Sequence, residues 1–289
     1  MTLWQYYVDH YEPCRLCCAA RSTRESYRSI VLRASTFHAK PLAEITLPDA
    51  CSFLAHVGAE LAAATVNKYR RSLLAVAGYA AKQGFLDGSW IDDVPKWTEP
   101  KRLPEAWTTT EIEAMVAVAR SLPANVNGCL ARHFWPALIL TLWNTGLRIT
   151  PTMSIASRNV SLAERSLIAR AETQKHKADQ WFPLQDSTVA ALTAIYRPDT
   201  ERLFNWPHDR NVRQWPTLTQ HFRRIIDAAG LRQPEKPFHK FRASCASYTD
   251  ALGGDAQQQL GHSSRAVTAR YLDPRITRTR RDVLPRLDI

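Results

Sequence analysis

No apolar run in the sequence approaches the length needed to span a bilayer. The opening residues, MTLWQYYVDHYEP, lack the basic start and apolar core of a secretion signal. A cytoplasmic protein with reduced thiols is therefore expected, nucleoid-associated if bacterial, with no membrane partner. There is no His-Glu-x-x-His pattern, no pair of carboxylates at catalytic spacing and no Gly-rich phosphate loop. No cofactor or metal is expected. Of six cysteines, Cys14, Cys17 and Cys18 stand close together, but no second Cys-x-x-Cys follows. Zinc held with His10 or His38 stays open beside a reduced, metal-free cluster. Cys51, Cys129 and Cys245 lie in apolar helical patterns and read as small core residues.

Positive charge is present in excess. Lys and Arg number 38 against 27 Asp and Glu, giving a net charge of +11. A protein this basic usually meets a polyanion, and nucleic acid is the commonest. The excess is uneven: residues 1–98 hold 11 basic and 9 acidic residues, so most of it falls in the remainder. The 289 residues suffice for two ordinary domains, each with its own core.

The first half reads as helices without chemistry. Ser22 and Thr23 are candidate N-caps of a first helix, and Thr46-Leu-Pro48-Asp49 starts a second. Ala63 to Gln83 is the clearest helix, with a stripe from Val66 to Ala80 and Gly84 as its stop. Its opening turns carry Thr65, Asn67, Lys68, Arg70 and Arg71, residue types that suit phosphate contact, though a solvated helical face explains them equally well. Residues 96–106, rich in proline, read as a linker.

The second half mixes helix and strand. Thr108 and Glu111 form a capping-box signature. Residues 130–145 make a strongly apolar helix that Pro136 kinks or divides and Gly146 ends. Arg148 follows that glycine at once, a rigid support for a guanidinium fork. Three short strands are expected over 159–162, 166–170 and 180–184, with Lys175 and Lys177 in the turn between the last two. Helices follow from Asp186, from Thr217, around His239, over 255–260 and from Ser264 to Tyr271, with Pro274 as a breaker. Residues 197–215, which include Trp206 and Trp215, read as a loop. The fold class is mainly α with a small three-stranded antiparallel sheet. The stretch Pro237–Pro274 places His239, Arg242, His262 and Tyr271 at intervals that suit an anionic group with a tyrosine nearby.

On these residues the chain resembles the tyrosine recombinases, the phage integrase family. Thr145-Gly-Leu-Arg148 looks like the family's first arginine box. Lys175, eight residues before Pro183, resembles its hairpin lysine. His239-Lys-Phe-Arg242 fits its His-x-x-Arg box. Leu260-Gly-His262, with Tyr271 nine residues later, fits its second histidine and nucleophile. There are two departures: Pro151 stands where the family usually carries Glu or Asp, and Ala243 where His or Arg often follows.

The resemblance implies a helical core-binding domain (1–95), a linker (96–106), a catalytic domain of DNA breaking-rejoining fold (107–274) and a basic tail (275–289). It implies Tyr271 as nucleophile and a covalent 3′-phosphotyrosine intermediate that needs neither metal nor ATP. Arg148 and Arg242 would bracket the phosphate, His239 would accept or orient the phenol's proton, Lys175 would protonate the leaving oxygen, and His262 would donate to a non-bridging oxygen. The expected partner is double-stranded DNA, contacted also by Thr65, Asn67, Lys68, Arg70, Arg71 and Lys177. A homotetramer on synapsed DNA, with the tail packed on a neighbouring protomer, is the implied assembly. Two alternatives stay open: a type IB topoisomerase, which shares the chemistry, and a DNA-binding regulator that has lost it.

Overall fold

The computed structural model describes residues 1–198, 200–206 and 216–277, and the chain divides into two compact units, Met1–Lys101 and Arg102–Ile289.

The first unit is helical. It opens with α1 (Leu3–Tyr6), a π-helical turn (Tyr7–Tyr11) and α2 (Glu12–Arg15). The wider π turn keeps Tyr7 and Tyr11 on one side, with ring centroids 5.9 Å apart, and both are buried. α3 (Arg21–Phe37) starts before Ser22 and Thr23: its N-cap is Ala20, and no side chain caps it. α4 (Leu47–Gly58) has the expected start, a reciprocal capping box between Thr46 and Asp49. α5 (Ala63–Lys82) buries Val66, Val76, Ala77 and Ala80, and Gly84 turns the chain away in the left-handed region at φ 78°. These residues close a core with Phe53, Leu54 and Val57.

In the second unit, α6 (Thr109–Arg120) starts at the capping box of Thr108 and Glu111. A hairpin absent from the sequence reading follows, β1 (Asn125–Val126) and β2 (Cys129–Leu130). Its two turn residues, Asn127 and Gly128, are both left-handed (φ 46° and 86°), as a tight hairpin demands. α7 (Ala131–Thr145) is buried along most of its length, with Phe134, Trp135, Leu138, Ile139 and Leu142 all inside. Pro136 does not divide it. Its missing N–H faces the first turn, where one intrahelical bond is lost and the chain continues. α8 (Ile149–Met153) follows the turn at Gly146.

The sheet runs β3 (Val160–Ser161), β4 (Ser166–Ala169), β5 (Gln180–Pro183), antiparallel in that order, with Leu167 opposite Phe182 in the core. α9 (Asp186–Thr193) has Gln185 at its N-cap, so Asp186 is its first residue. α10 (Pro216–Ala228), α11 (Pro237–Ala251), α12 (Ala256–Leu260) and α13 (Arg265–Thr268) lead to a 3-10 turn (Ala269–Tyr271). Pro274 begins a further short helix, α14 (Pro274–Thr277), rather than only ending one; proline at a first helical position costs no hydrogen bond. Most of the 197–215 loop, Trp215 included, and the basic tail beyond Thr277 lie outside the described residues. The fold is thus mainly helical with small antiparallel sheets. Among the described residues no helix is long and apolar enough to cross a membrane.

Candidate active site

α11 positions the site. Pro237 fixes its first residue, and Phe238 and Phe241 anchor it in the core, where Phe238 stacks on Phe222 at 4.7 Å. His239 and Arg242, three apart, are neighbours on the helix surface.

Arg242 is 3% exposed. Its Nη1 donates to the Gly146 carbonyl at 2.8 Å, and its Nη2 donates to the Leu260 carbonyl at 2.6 Å and to His262 Nε2 at 2.8 Å. Its Nε is buried with no partner. Both carbonyls lie at helix ends: Gly146 is the C-cap of α7, and Leu260 the last residue of α12. Orphan carbonyls and the negative ends of two helix dipoles therefore receive the cation. No carboxylate pairs with Arg242 or Arg148 among the described residues. Burial, then the nearby Arg148 cation, pull the Arg242 pKa down to about 10. A buried guanidinium without a counter-ion is costly, and an anion in the pocket would relieve that cost.

Two glycines make this approach possible. Gly146 and Gly261 are both left-handed C-caps, at φ 63° and 61°. A Cβ on Gly146 would stand 2.6 Å from Leu260 Cδ2 and 2.9 Å from Cys245 Cβ, so the helix ends could not close on Arg242. Thr145 locks the same turn, its Oγ1 donating to the Thr141 carbonyl at 2.7 Å and accepting from Leu147 N at 3.2 Å. Arg148 then caps α8 and is half-buried. Pro151 sits buried in the first turn of α8, so this position supplies no charge.

His262 is defined by its partners. Arg242 has only donors, so Nε2 of His262 accepts, and its Nδ1–H donates to Thr268 Oγ1 at 3.0 Å. Partial burial, then Arg242, Arg148 and His176, lower its pKa to about 4. Toward Arg242, His262 is thus a neutral acceptor. Donation to a phosphate oxygen, its expected role, requires protonation or release from Arg242, and the phosphate's own charge favours both. His239 is exposed on one side, yet crowding by its neighbours, then Arg242, Arg148 and Lys236, lower its pKa too. It is neutral near neutral pH and able to accept a proton.

Tyr271 stands in the same place. Its ring centroid lies 5.3 Å from that of His239 and 5.0 Å from that of His262, and the Arg242 guanidinium carbon is 5.5 Å from it. The phenol is partly exposed. Five of the six residues singled out in the sequence are therefore gathered, Arg148 acting on the other groups through its charge.

Lys175, the sixth, is exposed on the β4–β5 connection and makes no hydrogen bond or ion pair among the described residues. Its neighbours tie that connection to the site. Gln180 Nε2 donates to the Gln258 and Gln259 carbonyls at 3.2 and 2.8 Å. The His176 ring lies against Gly261, where an added Cβ would come within 3.0 Å of it. Neither His176 nor Gln180 was singled out in the sequence, because their contacts cross about 80 residues of chain; only the His between two lysines hinted at them.

The candidate DNA contacts of α5 divide. Asn67 is 1% exposed and fully engaged. Its Nδ2 donates to the Trp97 carbonyl at 2.9 Å and to Glu99 Oε1 at 2.6 Å, and its Oδ1 accepts from Trp97 N at 2.9 Å. Arg70 donates from Nε and Nη2 to the Val94 carbonyl at 2.9 and 2.6 Å. Both side chains hold the end of their own unit; burial corrects the reading of Asn67 as a surface contact, while Arg70 is half-buried. Asn67→Ala is expected to destabilise the first unit by about 1–3 kcal/mol, the cost of orphaned buried groups, with DNA affinity nearly unchanged; urea unfolding and a binding titration of the same preparation check it. Lys68 and Arg71 are exposed, Thr65 is half-buried, and Lys177 is exposed in the left-handed region at φ 56°.

The zinc alternative lacks its geometry. Cys14, Cys17 and Cys18 are exposed, His10 stacks on Tyr6 at 5.2 Å, and His38 bonds the Asp49 carbonyl at 2.8 Å. No cluster of three or more potential ligands occurs among the described residues.

Residues 107–278 match the model of the family described as "Phage integrase family". The chain is 28% identical over 270 residues to the tyrosine recombinase XerD of Rhizobium meliloti (strain 1021), covering 88% of this chain and 85% of that protein. In fold it is similar to a lambda integrase (75–356) dimer bound to a COC′ core site (TM-score 0.75, 21% identity, all of both chains covered). It is similar also to the Tn1549 transposon integrase in complex with circular intermediate DNA (TM-score 0.72, 16% identity, 94% of this chain and 95% of that one). A guanidinium buried without a counter-ion, a tyrosine and two histidines around it, and a family match over residues 107–278 of that unit lead to one assignment: the chain belongs to the phage integrase family and is a tyrosine-type site-specific DNA recombinase.

Proposed function

We propose that this chain cleaves and rejoins DNA strands through a covalent 3′-phosphotyrosine link formed by Tyr271. The observation that carries this reading is the buried, uncompensated Arg242 cation beside the Tyr271 ring. The pentavalent transition state of phosphodiester attack concentrates negative charge on the non-bridging oxygens. Arg148 and Arg242 offer preorganised positive charge to it. The phenol must lose its proton as it attacks; neutral His239 takes that proton. Lys175 is the acid that protonates the departing 5′-oxygen. Tyrosine oxygen bonds to phosphorus, the 5′-oxygen leaves as a hydroxyl, and the phosphodiester's bond energy is kept in the new ester. A 5′-hydroxyl from another duplex reverses the step and exchanges strands without nucleotide or metal.

The partner is double-stranded DNA, and the working assembly is a homotetramer on two synapsed duplexes. The DNA-bound integrases of similar fold support both statements. The exposed Lys68, Arg71 and Lys177, with Thr65, grip the duplex, while Met1–Lys101 acts as the core-binding unit and Arg102–Ile289 as the catalytic unit. The reaction takes place in the cytoplasm, on the nucleoid in a bacterial cell.

The test is covalent capture. The full chain is incubated with nicked duplexes of randomised central sequence, in the presence of a chelator, and denaturation-resistant adducts are isolated. Sequencing the captured DNA gives the site, and mass spectrometry of the DNA-linked peptide gives the residue. The reading requires that peptide to contain Tyr271; an adduct elsewhere, or none with any sequence, sinks it.

A further inference from the structure

The turn that carries Tyr271 has little to hold itself with. It is a three-residue 3-10 turn after the four-residue α13, and Leu272 beyond it is extended. Such short elements are not stable alone, so tertiary bonds fix where the phenol stands. Ser247 on α11 supplies two: its Oγ donates to the Tyr271 carbonyl at 3.2 Å and accepts from Asp273 N at 2.8 Å. Asp273 is 1% exposed. Its Oδ2 accepts from Ala106 N at 2.8 Å, and Oδ1 accepts from Arg275 N at 2.9 Å and Nε at 3.0 Å.

Ala106 belongs to a strap laid along α11. Trp107 N donates to Ser244 Oγ at 2.7 Å, Trp107 Nε1 to the Pro237 carbonyl at 3.3 Å, and Thr109 N to the Tyr248 hydroxyl at 3.2 Å. Lys240 Nζ lies 3.7 Å over the Trp107 ring. Positions 237, 240, 244, 247 and 248 recur at helical spacing, so one stripe of α11 binds both the strap and the segment after Tyr271. His239 and Arg242, on the same helix, serve the phosphate pocket.

We propose that Asp273 is a positioning residue for Tyr271, fixing the nucleophile's turn between Ser247 and the strap at Ala106. The inference rests on Tyr271 being the nucleophile. None of the partners of Arg242 (Gly146, Leu260, His262) is a partner of Asp273. Placement of the nucleophile is therefore separable from assembly of the phosphate pocket.

The experiment uses the full chain and the duplex captured by the native protein. Asp273→Ala slows adduct formation about 10²-fold, the scale of a nucleophile displaced by an ångström, while the dissociation constant for DNA is unchanged. Asp273→Asn, whose amide oxygen still accepts from Ala106 N–H while its NH2 meets the Arg275 donors, is slowed less than Asp273→Ala. Ser247→Ala, a smaller change that secures a folded variant, slows the step about tenfold, the equivalent of one lost hydrogen bond. The separating arm uses the Tyr271→Phe background with hydrogen peroxide as a small nucleophile: a peroxide oxygen bonds to phosphorus and the 5′-oxygen leaves with a proton. That cleavage proceeds equally with and without Asp273→Ala. The inference is overturned if Asp273→Ala and Ser247→Ala form adduct at the native rate, or if the peroxide reaction falls in the same proportion. A native-level adduct in Tyr271→Phe alone shows instead that the nucleophile assignment has failed.

Discussion

Tyr271→Phe is expected to abolish the covalent DNA adduct and all strand exchange, with DNA affinity within about twofold of the native chain. The substitution removes one oxygen and keeps the ring whose centroid lies 5.0 Å from His262 and 5.3 Å from His239. The pocket's shape is therefore preserved and only the attacking atom is lost. No other group in the pocket can substitute: arginine is not a nucleophile, and a histidine adduct would be an acid-labile phosphoramidate rather than a phosphotyrosine. Gel separation after denaturation measures the adduct, and a titration on the same duplex measures affinity. The Tyr271 ring lies 5.5 Å from the Arg242 of its own chain, so the proposed attack is expected in cis. Mixing Tyr271→Phe with Arg242→Ala protein should therefore restore no adduct.

Arg242→Ala should slow cleavage by about 10²–10³-fold, the loss of about 3–4 kcal/mol of transition-state stabilisation from one preorganised donor. A second effect follows from its burial. Without the guanidinium, the Gly146 and Leu260 carbonyls lose their partner, and unfolding should show a loss of about 1–3 kcal/mol. Arg242→Lys recovers little of either. One ammonium is a point charge and cannot span two helix ends and His262 Nε2 as the planar fork does. Adduct rates on a common duplex, set beside urea unfolding of each variant, separate the two effects. A variant that lost stability but cleaved at the native rate would remove Arg242 from the reaction.

Much of this architecture is legible in the chain because local rules set it. The capping boxes at Thr46 and Thr108, the stripe of α5, the glycine after α7 and the polar turns around β4 and β5 each announce an element. The residues gathered around Arg242 are legible for a different reason: their spacing resembles a family's, and the family model matches that region. What stays hidden depends on long-range partners. Asn67 sits among polar and basic residues at the head of α5 and reads as solvated, yet its partners Trp97 and Glu99 lie about 30 residues on. The β1–β2 hairpin has only two residues per strand, too short for a period to show. His176, Ser247 and Asp273 have unremarkable neighbours in sequence, and only folding brings them to Gly261, Tyr271 and Ala106.

The proline at position 151 gives the buried arginine a wider meaning. With no acid there, and helix ends as the only negative poles around Arg242 among the described residues, the second unit folds around a charge that no carboxylate balances. On the proposed function DNA would be more than the molecule acted on, since its backbone phosphate would complete the electrostatics of the interior, as a structural metal does in a small domain. Any ligand that binds only the native state raises stability by mass action. The free protein is then expected to be the less durable form, its lifetime rising with the time it spends on a duplex. Durability and occupancy are thereby linked: a recombinase of this kind persists where its substrate is, and the copies that have let go are the first to unfold.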